Sequence, residues 1–101
     1  MITMEESENI AKSILVKKEK EIGFELKISL IRETEYGNVY FYNSKEYVET
    51  GNFRANLLGN SPFIVDIEDG VVHFFGTAFS LERYLGEYAK YRSQYGEMRT
   101  F

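Results

Sequence analysis

The sequence predicts an α+β domain in which two antiparallel β-hairpins form a four-stranded sheet flanked by an N-terminal and a C-terminal helix. Three observations predict it. A capped apolar stripe at helical spacing opens the chain, two pairs of short apolar runs separated by turn residues follow, and a stripe of tyrosines and leucines closes it. The 101 residues match one ordinary domain, and no repeat or linker interrupts them, so residues 1–101 are predicted to form a single domain.

The first element is a helix over about residues 4–21. Thr3 followed by Glu6 has the spacing of a capping box, in which each residue binds the backbone N–H of the other. Gly23 is placed to end the helix, because glycine readily adopts the left-handed conformation found after a helix C-terminus. The residues that fall in one stripe at helical spacing are Met4, Ala11, Ile14, Leu15 and Lys18.

The first hairpin joins two segments of alternating character. Residues 24–30 alternate apolar and polar side chains, which is typical of a half-buried strand. Residues 36–38 form the turn, and residues 39–42 begin the returning strand. Tyr40 and Tyr42 share one face of that strand, and its other two side chains share the opposite face.

The second hairpin is predicted from residues 63–68 and 71–75, which are separated by Asp69-Gly70. This dipeptide favours a two-residue turn with positive φ at both positions. That turn would place Val65 opposite Phe74 and Asp66 opposite His73. The face carrying Phe63 and Val65 is wholly apolar and is predicted to be core.

Two further segments are predicted to be helical. Residues 53–58 form a helical turn closed by Gly59. The last helix begins after Ser80, a good N-cap residue, and ends at Gly96. Its apolar stripe consists of Leu81, Tyr84, Leu85, Tyr88, Tyr91 and Tyr95.

Composition excludes several classes of function. Sixteen acidic and twelve basic residues give a net charge of -4, which disfavours binding to nucleic acid phosphates. The chain has no cysteine and a single histidine, which excludes the usual zinc sites and leaves a site of carboxylates alone as an open alternative. It also has no glycine-rich phosphate loop, and we expect neither a cofactor nor a metal. The acidic N-terminus lacks the pattern of a secretory signal, and no apolar run reaches the ~20 residues that cross a membrane. We therefore expect a cytoplasmic protein that contacts no membrane.

The predicted pairing of His73 with Asp66 has two interpretations. A His-Asp pair is part of several catalytic sites, but no strained nucleophile motif accompanies this one. The favoured interpretation is an ion pair on a half-exposed sheet face, which would raise the pKa of the histidine. We therefore expect no catalytic residue and no enzyme, and the chain is expected to act by binding another protein.

The face carrying the two tyrosines of the first hairpin is the candidate partner surface. Aromatic anchors surrounded by charges are typical of tight protein interfaces. The alternative is that a helix covers this face, which makes the tyrosines core and the carboxylates a solvated rim. If reversing the charges of the glutamates among the candidate residues did not affect binding, the partner would be expected on the last helix around Glu87 and Lys90. The candidate partner-binding residues are Tyr40, Tyr42, Glu46, Glu49, Asp66 and Glu68.

An ordered series of short motifs spans roughly residues 36–90: Phe41–Tyr47, Glu49–Asn52, Leu58–Pro62, Phe63–Asp66, Asp69-Gly70, Gly76–Ala78, and Leu81-Glu82 with Tyr84. This series resembles the immunity protein 35 family. The resemblance implies a bacterial antidote that binds and neutralises a cognate toxin, and an acidic chain suits a basic toxin. A general interaction or chaperone-like module is the alternative. The motifs set turns and core positions more than a contact surface, so no site residue is transferred from the family.

Overall fold

The structure is a computed structural model that describes residues 1–58 and 60–95. Within these residues four strands form one antiparallel sheet in the order β1-β2-β3-β4, and the predicted α+β fold class is confirmed. The predicted ends at Gly59 and Gly96 lie outside the described residues. The elements are α1 (Met4–Ile22), β1 (Leu26–Thr34), β2 (Gly37–Ser44), α2 (Lys45–Thr50), a 3-10 turn (Phe53–Ala55), β3 (Phe63–Asp66), β4 (Val72–Phe74) and α3 (Leu81–Tyr95).

Helix α1 begins and ends where the sequence predicts. Both hydrogen bonds of the capping box between Thr3 and Glu6 are present, and Gly23 adopts the left-handed conformation with φ of 85°. The buried stripe of the helix consists of Ser7, Ala11 and Leu15. Met4, which was predicted to belong to this stripe, is 49% exposed, and its sulfur lies 3.3 Å from Asn38 Nδ2.

Both faces of the central strands β2 and β3 are buried, each under one helix, whereas most of β1 is exposed. The Tyr40 face packs with Phe63 and Val65 against Ala11 and Leu15 of α1. The opposite face packs against α3 and holds Val39, Ile64, Phe75 and Tyr88, with Leu81, Tyr84 and Leu85 around them. The second face was expected to be half-exposed, and the stripe of α3 is the reason that it is not. Tyr91 is half-buried, and the side chain of Tyr95 lies outside the described residues.

Strand β1 differs from the predicted half-buried strand. It runs to Thr34 rather than ending near residue 30, and Phe24 lies before it with 44% of its surface exposed. A bulge between Ile28 and Leu30 breaks the alternation, and Leu30 is 58% exposed. The turn that follows consists of residues 35–36, and Gly37 already belongs to β2.

The register predicted for the second hairpin is wrong by two residues. Val65 lies opposite Val72, and Phe63 lies opposite Phe74. Gly70 has φ of 75°, but Asp69 does not have positive φ, so the two-residue turn does not form. The backbone of Ile67 explains the difference, because its N–H binds the Tyr36 carbonyl at 2.9 Å and its carbonyl accepts the Ile2 N–H at 2.8 Å. Each side chain still lies on the face of the sheet predicted for it, because a register shift of two residues preserves the alternation of side chains along a strand.

Candidate functional site

Tyr40 and Tyr42 lie in the core beneath α1. Tyr40 is fully buried, and its hydroxyl lies 2.7 Å from the Ser7 hydroxyl oxygen. Its ring stacks on Phe63 with 5.6 Å between the ring centroids. Tyr42 is 6% exposed, and burial raises the pKa of its hydroxyl. The alternative in which a helix covers this face therefore describes the structure. Both tyrosines are core residues and neither is exposed to a partner.

Asp66 is fully buried and holds α3 on the sheet. Arg92 binds its carboxylate in a bidentate pair, with Nε 2.8 Å from Oδ2 and Nη2 2.9 Å from Oδ1. The Tyr88 hydroxyl donates to Oδ2, and the Glu68 N–H lies 3.0 Å from Oδ1. Burial alone would raise the pKa of Asp66, but the hydrogen bonds from Arg92, Tyr88 and Glu68 outweigh it and lower that pKa. We call Asp66, Tyr88 and Arg92 the Asp66 clamp.

The six predicted partner-binding residues do not form one patch. The exposed carboxylate of Glu68 lies beside the Asp66 clamp, 3.4 Å from Arg92 Nη2. Asp66 pairs with the first residue of β2, whereas Glu46 and Glu49 lie on α2, directly after the last. The eight residues of β2 separate these two groups by roughly 23 Å. Of the six residues, only Glu46, Glu49 and Glu68 have carboxylates exposed to a partner.

His73 does not have the environment predicted for it. The register places it opposite Ile64, and its ring packs against Phe75 and Tyr88 at centroid distances of 5.5 and 5.6 Å. Burial lowers the pKa of His73, whereas the predicted pairing with Asp66 would have raised it. The correction follows from the register and from Arg92, which engages both oxygens of Asp66.

The lowered pKa of His73 predicts a pH dependence of stability opposite in sign to that of the expected ion pair. Above the unfolded-state pKa of about 6.5 both states are neutral, and the full stability is present. As pH falls from there through the folded-state pKa, the unfolded state binds the proton first and stability declines. Urea unfolding between pH 7.5 and 5 should show this decline in the wild type and a weaker one in His73→Phe. Stability that rises in the wild type over the same interval would contradict the assignment.

Helix α2 was not predicted, and it builds an open groove. Ser44 caps it by accepting the Tyr47 N–H at 3.1 Å, and Gly51 ends it in the left-handed conformation. Asn43 holds the following segment against the end of β2: its Oδ1 accepts the Leu57 N–H at 2.8 Å, and its Nδ2 donates to Asn56 Oδ1 at 2.8 Å. The predicted helical turn over 53–58 is reduced to the 3-10 turn. The sequence did contain a signal for this helix: Ser44 as the N-cap, Glu46 in the first turn, and Gly51 seven residues after Ser44 as the C-cap.

The space between α2, the 3-10 turn and the start of β1 is a groove of about 810 Å³, called here the α2 groove. Its rim bears Glu46 and Glu49, and it also contains apolar surface from Phe24 and Leu57. Glu49 lies 3.3 Å from Lys27, and Lys45 lies 3.4 Å from Glu25. These pairs are about half-exposed or more, so they are weak and open to exchange with a partner's charges. The groove is lined by Phe24, Glu25, Ser44, Lys45, Glu46, Glu49, Thr50, Arg54, Ala55, Asn56 and Leu57.

The arrangement of these residues suits binding. The described part of the chain holds no cluster of three or more His, Cys, Asp or Glu side chains placed to share a metal ion. Among residues 1–58 and 60–95, no helix has the length and apolar character needed to cross a membrane. His73 does not line the α2 groove. The groove instead combines exposed apolar surface with charges on a rim, as protein interfaces do.

Comparison with known proteins identifies the family. The model of the family described as immunity protein 35 matches residues 5–87, from the first turn of α1 into α3. The chain belongs to the immunity protein 35 family. It is also 38% identical over 69 residues to an Escherichia coli K12 protein named uncharacterized protein YrhB, covering 68% of this chain and 73% of that relative. No solved structure matches the chain.

The segment that matches the immunity protein 35 family includes the first hairpin and α2, which borders the α2 groove. Glu46, Glu49 and Glu68 lie within residues 5–87, and so does the buried carboxylate of Asp66. Arg92, which completes the Asp66 clamp, lies beyond the matched segment. The matched segment therefore covers the four strands, nearly all of α1 and α2, whereas the clamp also uses a residue from the last turns of α3.

Proposed function

We propose that this immunity protein 35 family member neutralises a cognate bacterial toxin by stoichiometric protein–protein binding, in the cytoplasm and without catalysis. The observation that supports this most is the family match over residues 5–87. Neutralisation by binding needs a surface that retains its shape when free, because ordering a loose surface on association reduces affinity. A sheet whose central strands are buried on both faces, with α2 fixed by Asn43 and Ser44, supplies such a surface.

The charge of the protein favours a basic toxin domain. A net charge of -4 speeds encounter with a basic partner and disfavours nucleic acid. The α2 groove is the surface we assign to the toxin, with Glu46 and Glu49 contributing to the electrostatic attraction. Exposed Phe24 contributes apolar area in the same groove. A basic partner could bind the exposed carboxylate of Glu49 in place of Lys27, and that of Glu25 in place of Lys45, while it packs against Phe24.

A chaperone-like interaction module is the second candidate, and exposed apolar side chains favour it. Phe53 and Leu58, which flank the α2 groove in the sequence, are 80% and 88% exposed. Apolar surface of this kind binds unfolded chains without regard to charge. The two candidates differ in salt dependence, because only recognition of a basic toxin is weakened by salt.

Reversing Glu46 and Glu49 to lysine together tests the assignment of the groove. Where a candidate toxin domain is encoded beside this gene, association with it should slow by about tenfold at low ionic strength and become less salt-dependent. The measurement is stopped-flow binding at several salt concentrations. Glu33→Lys with Glu35→Lys is the matched control, since it makes the same charge change on exposed residues at the far end of the first hairpin.

The control separates a local contact from an effect of total charge. Equal slowing of both double variants would show that only net charge matters and would remove the groove from the proposal. Unchanged association in the α2 variant, with the wild type binding tightly, would place the toxin on another surface.

A further inference from the structure

A second, smaller pocket lies between α3 and β4, on the face of the sheet opposite α1. Its volume is about 200 Å³. Phe75 and Tyr88 are buried and form its floor, and the half-buried rings of Tyr84 and Tyr91 and the exposed side chain of Glu87 stand around it. In the described part of the chain β4 is an edge strand, so no further strand closes the pocket on that side. The lining residues are His73, Phe75, Tyr84, Glu87, Tyr88 and Tyr91.

The pocket is an aromatic enclosure with one carboxylate. Tyr84, Glu87 and Tyr91 are spaced by three and four residues, which places them on one face of α3. Phe75 lies against Tyr84 with nearly parallel rings, 6.0 Å between centroids, and meets Tyr88 edge-on at 6.1 Å. Aromatic ring faces carry partial negative charge and attract cations, most strongly where water is partly excluded.

The described residues that line the pocket include no lysine or arginine. Burial lowers the pKa of His73, so its imidazole is neutral and adds another ring. The carboxylate of Glu87 lies 3.8 Å from Arg83 Nε, a long pair in which both side chains are more than half-exposed. Such a pair contributes little and exchanges readily with another cation. Arg83 also stacks on Phe79, with its guanidinium carbon 3.8 Å from the ring centroid.

We propose that this pocket binds a lysine or arginine side chain of the partner protein, held between the ring faces and the carboxylate of Glu87. The volume admits one such side-chain end and is too small for a folded segment. The identity of the partner as the toxin rests on the proposed function, whereas the preference of the pocket for a cation does not. A contact of this kind, with one side chain enclosed by aromatic rings, is typical of the few residues that dominate binding energy.

The preference of the pocket is tested with small probes. In two-dimensional NMR titrations, n-butylammonium and n-butylguanidinium should shift the amide signals of His73, Tyr84 and Tyr91 saturably at millimolar concentration. Glu87→Gln should weaken this binding by about three- to tenfold. Neutral n-butanol is the matched probe, and Glu21→Gln, which removes an exposed carboxylate from α1, is the matched variant. Equal binding of n-butanol, or no saturable shift with either cation, would overturn the proposal.

The role of the pocket in the complex is tested with a candidate toxin domain taken from a neighbouring gene. Glu87→Gln should raise the dissociation rate of the complex by about tenfold, and Glu21→Gln should leave it unchanged. If the wild type binds the toxin and both variants dissociate at the wild-type rate, the pocket is not part of the interface. If the wild type does not bind the toxin at all, the proposed function fails, while the probe titrations still decide whether the pocket takes cations.

Discussion

Replacing Arg92 with methionine is expected to destabilise the fold by about 3–5 kcal/mol. The variant leaves the carboxylate of Asp66 buried without its bidentate partner, and a buried charge that loses its counter-charge is strongly unfavourable. Methionine retains much of the apolar stem of Arg92, so the measured loss of stability reports mainly the removal of the guanidinium group. The guanidinium group also lies 4.7 Å from the ring centroid of Tyr36, and this contact is lost with it. Urea unfolding followed by circular dichroism measures the change.

Two control variants assign the effect to the Asp66 clamp. Arg83→Met removes an arginine from an exposed pair on the same helix and should cost no more than about 1 kcal/mol. Adding Asp66→Asn to Arg92→Met should restore part of the stability, because the buried group is then neutral. A loss below about 1 kcal/mol in Arg92→Met, or no recovery in the double variant, would contradict the assignment.

Replacing Gly37 with alanine is expected to cost about 3 kcal/mol or more, or to prevent folding. Gly37 begins β2 with φ of 143°, and a Cβ atom there would lie 2.1 Å from the carbonyl oxygen of Val65 on the paired strand. Backbone strain and the collision with a backbone atom add together, since β3 cannot move away without losing its ladder to β2. Thermal unfolding measures the effect.

Gly51→Ala is the control for the conformational part of this effect. Gly51 has φ of 73°, but nothing lies within 4 Å of a Cβ atom built on it. Alanine there should cost about 1 kcal/mol, from the left-handed conformation alone. Similar melting temperatures for the two variants would show that the approach of Val65 to Gly37 is not as close as described. Failure of Gly37→Ala to fold, with a folded Gly51→Ala, is the extreme of the expected result.

The elements that follow from local patterns were predictable from the sequence, and their pairing was not. The capping box at Thr3, the end at Gly23 and the faces of β2 and β3 depend on spacing along the chain. The register of the second hairpin depends on Ile67, whose backbone bonds to Tyr36 and Ile2 are long-range contacts. The local preference of Asp69-Gly70 for a tight turn was overridden by these contacts.

The candidate site was less predictable for the same reason. Whether Tyr40 is a surface anchor or core depends on where α1 packs, and the burial of Asp66 depends on an arginine 26 residues away. The sequence therefore identified the acidic residues but could not assign them to the clamp or to the α2 groove. Helix α2 was missed because six residues are too few for a periodic pattern, although its caps were visible.

The central claim, neutralisation by stoichiometric binding, is tested most directly by titrating the activity of the toxin. A candidate toxin domain taken from a neighbouring gene is held at a fixed concentration well above the dissociation constant. Its residual activity is measured as this protein is added. We predict a linear fall that ends at one molecule of this protein per toxin domain, unchanged by longer incubation. Complete neutralisation at a much lower ratio of this protein to toxin would show turnover. Full toxin activity with this protein in excess would show that this toxin is not bound. Either result would contradict the account.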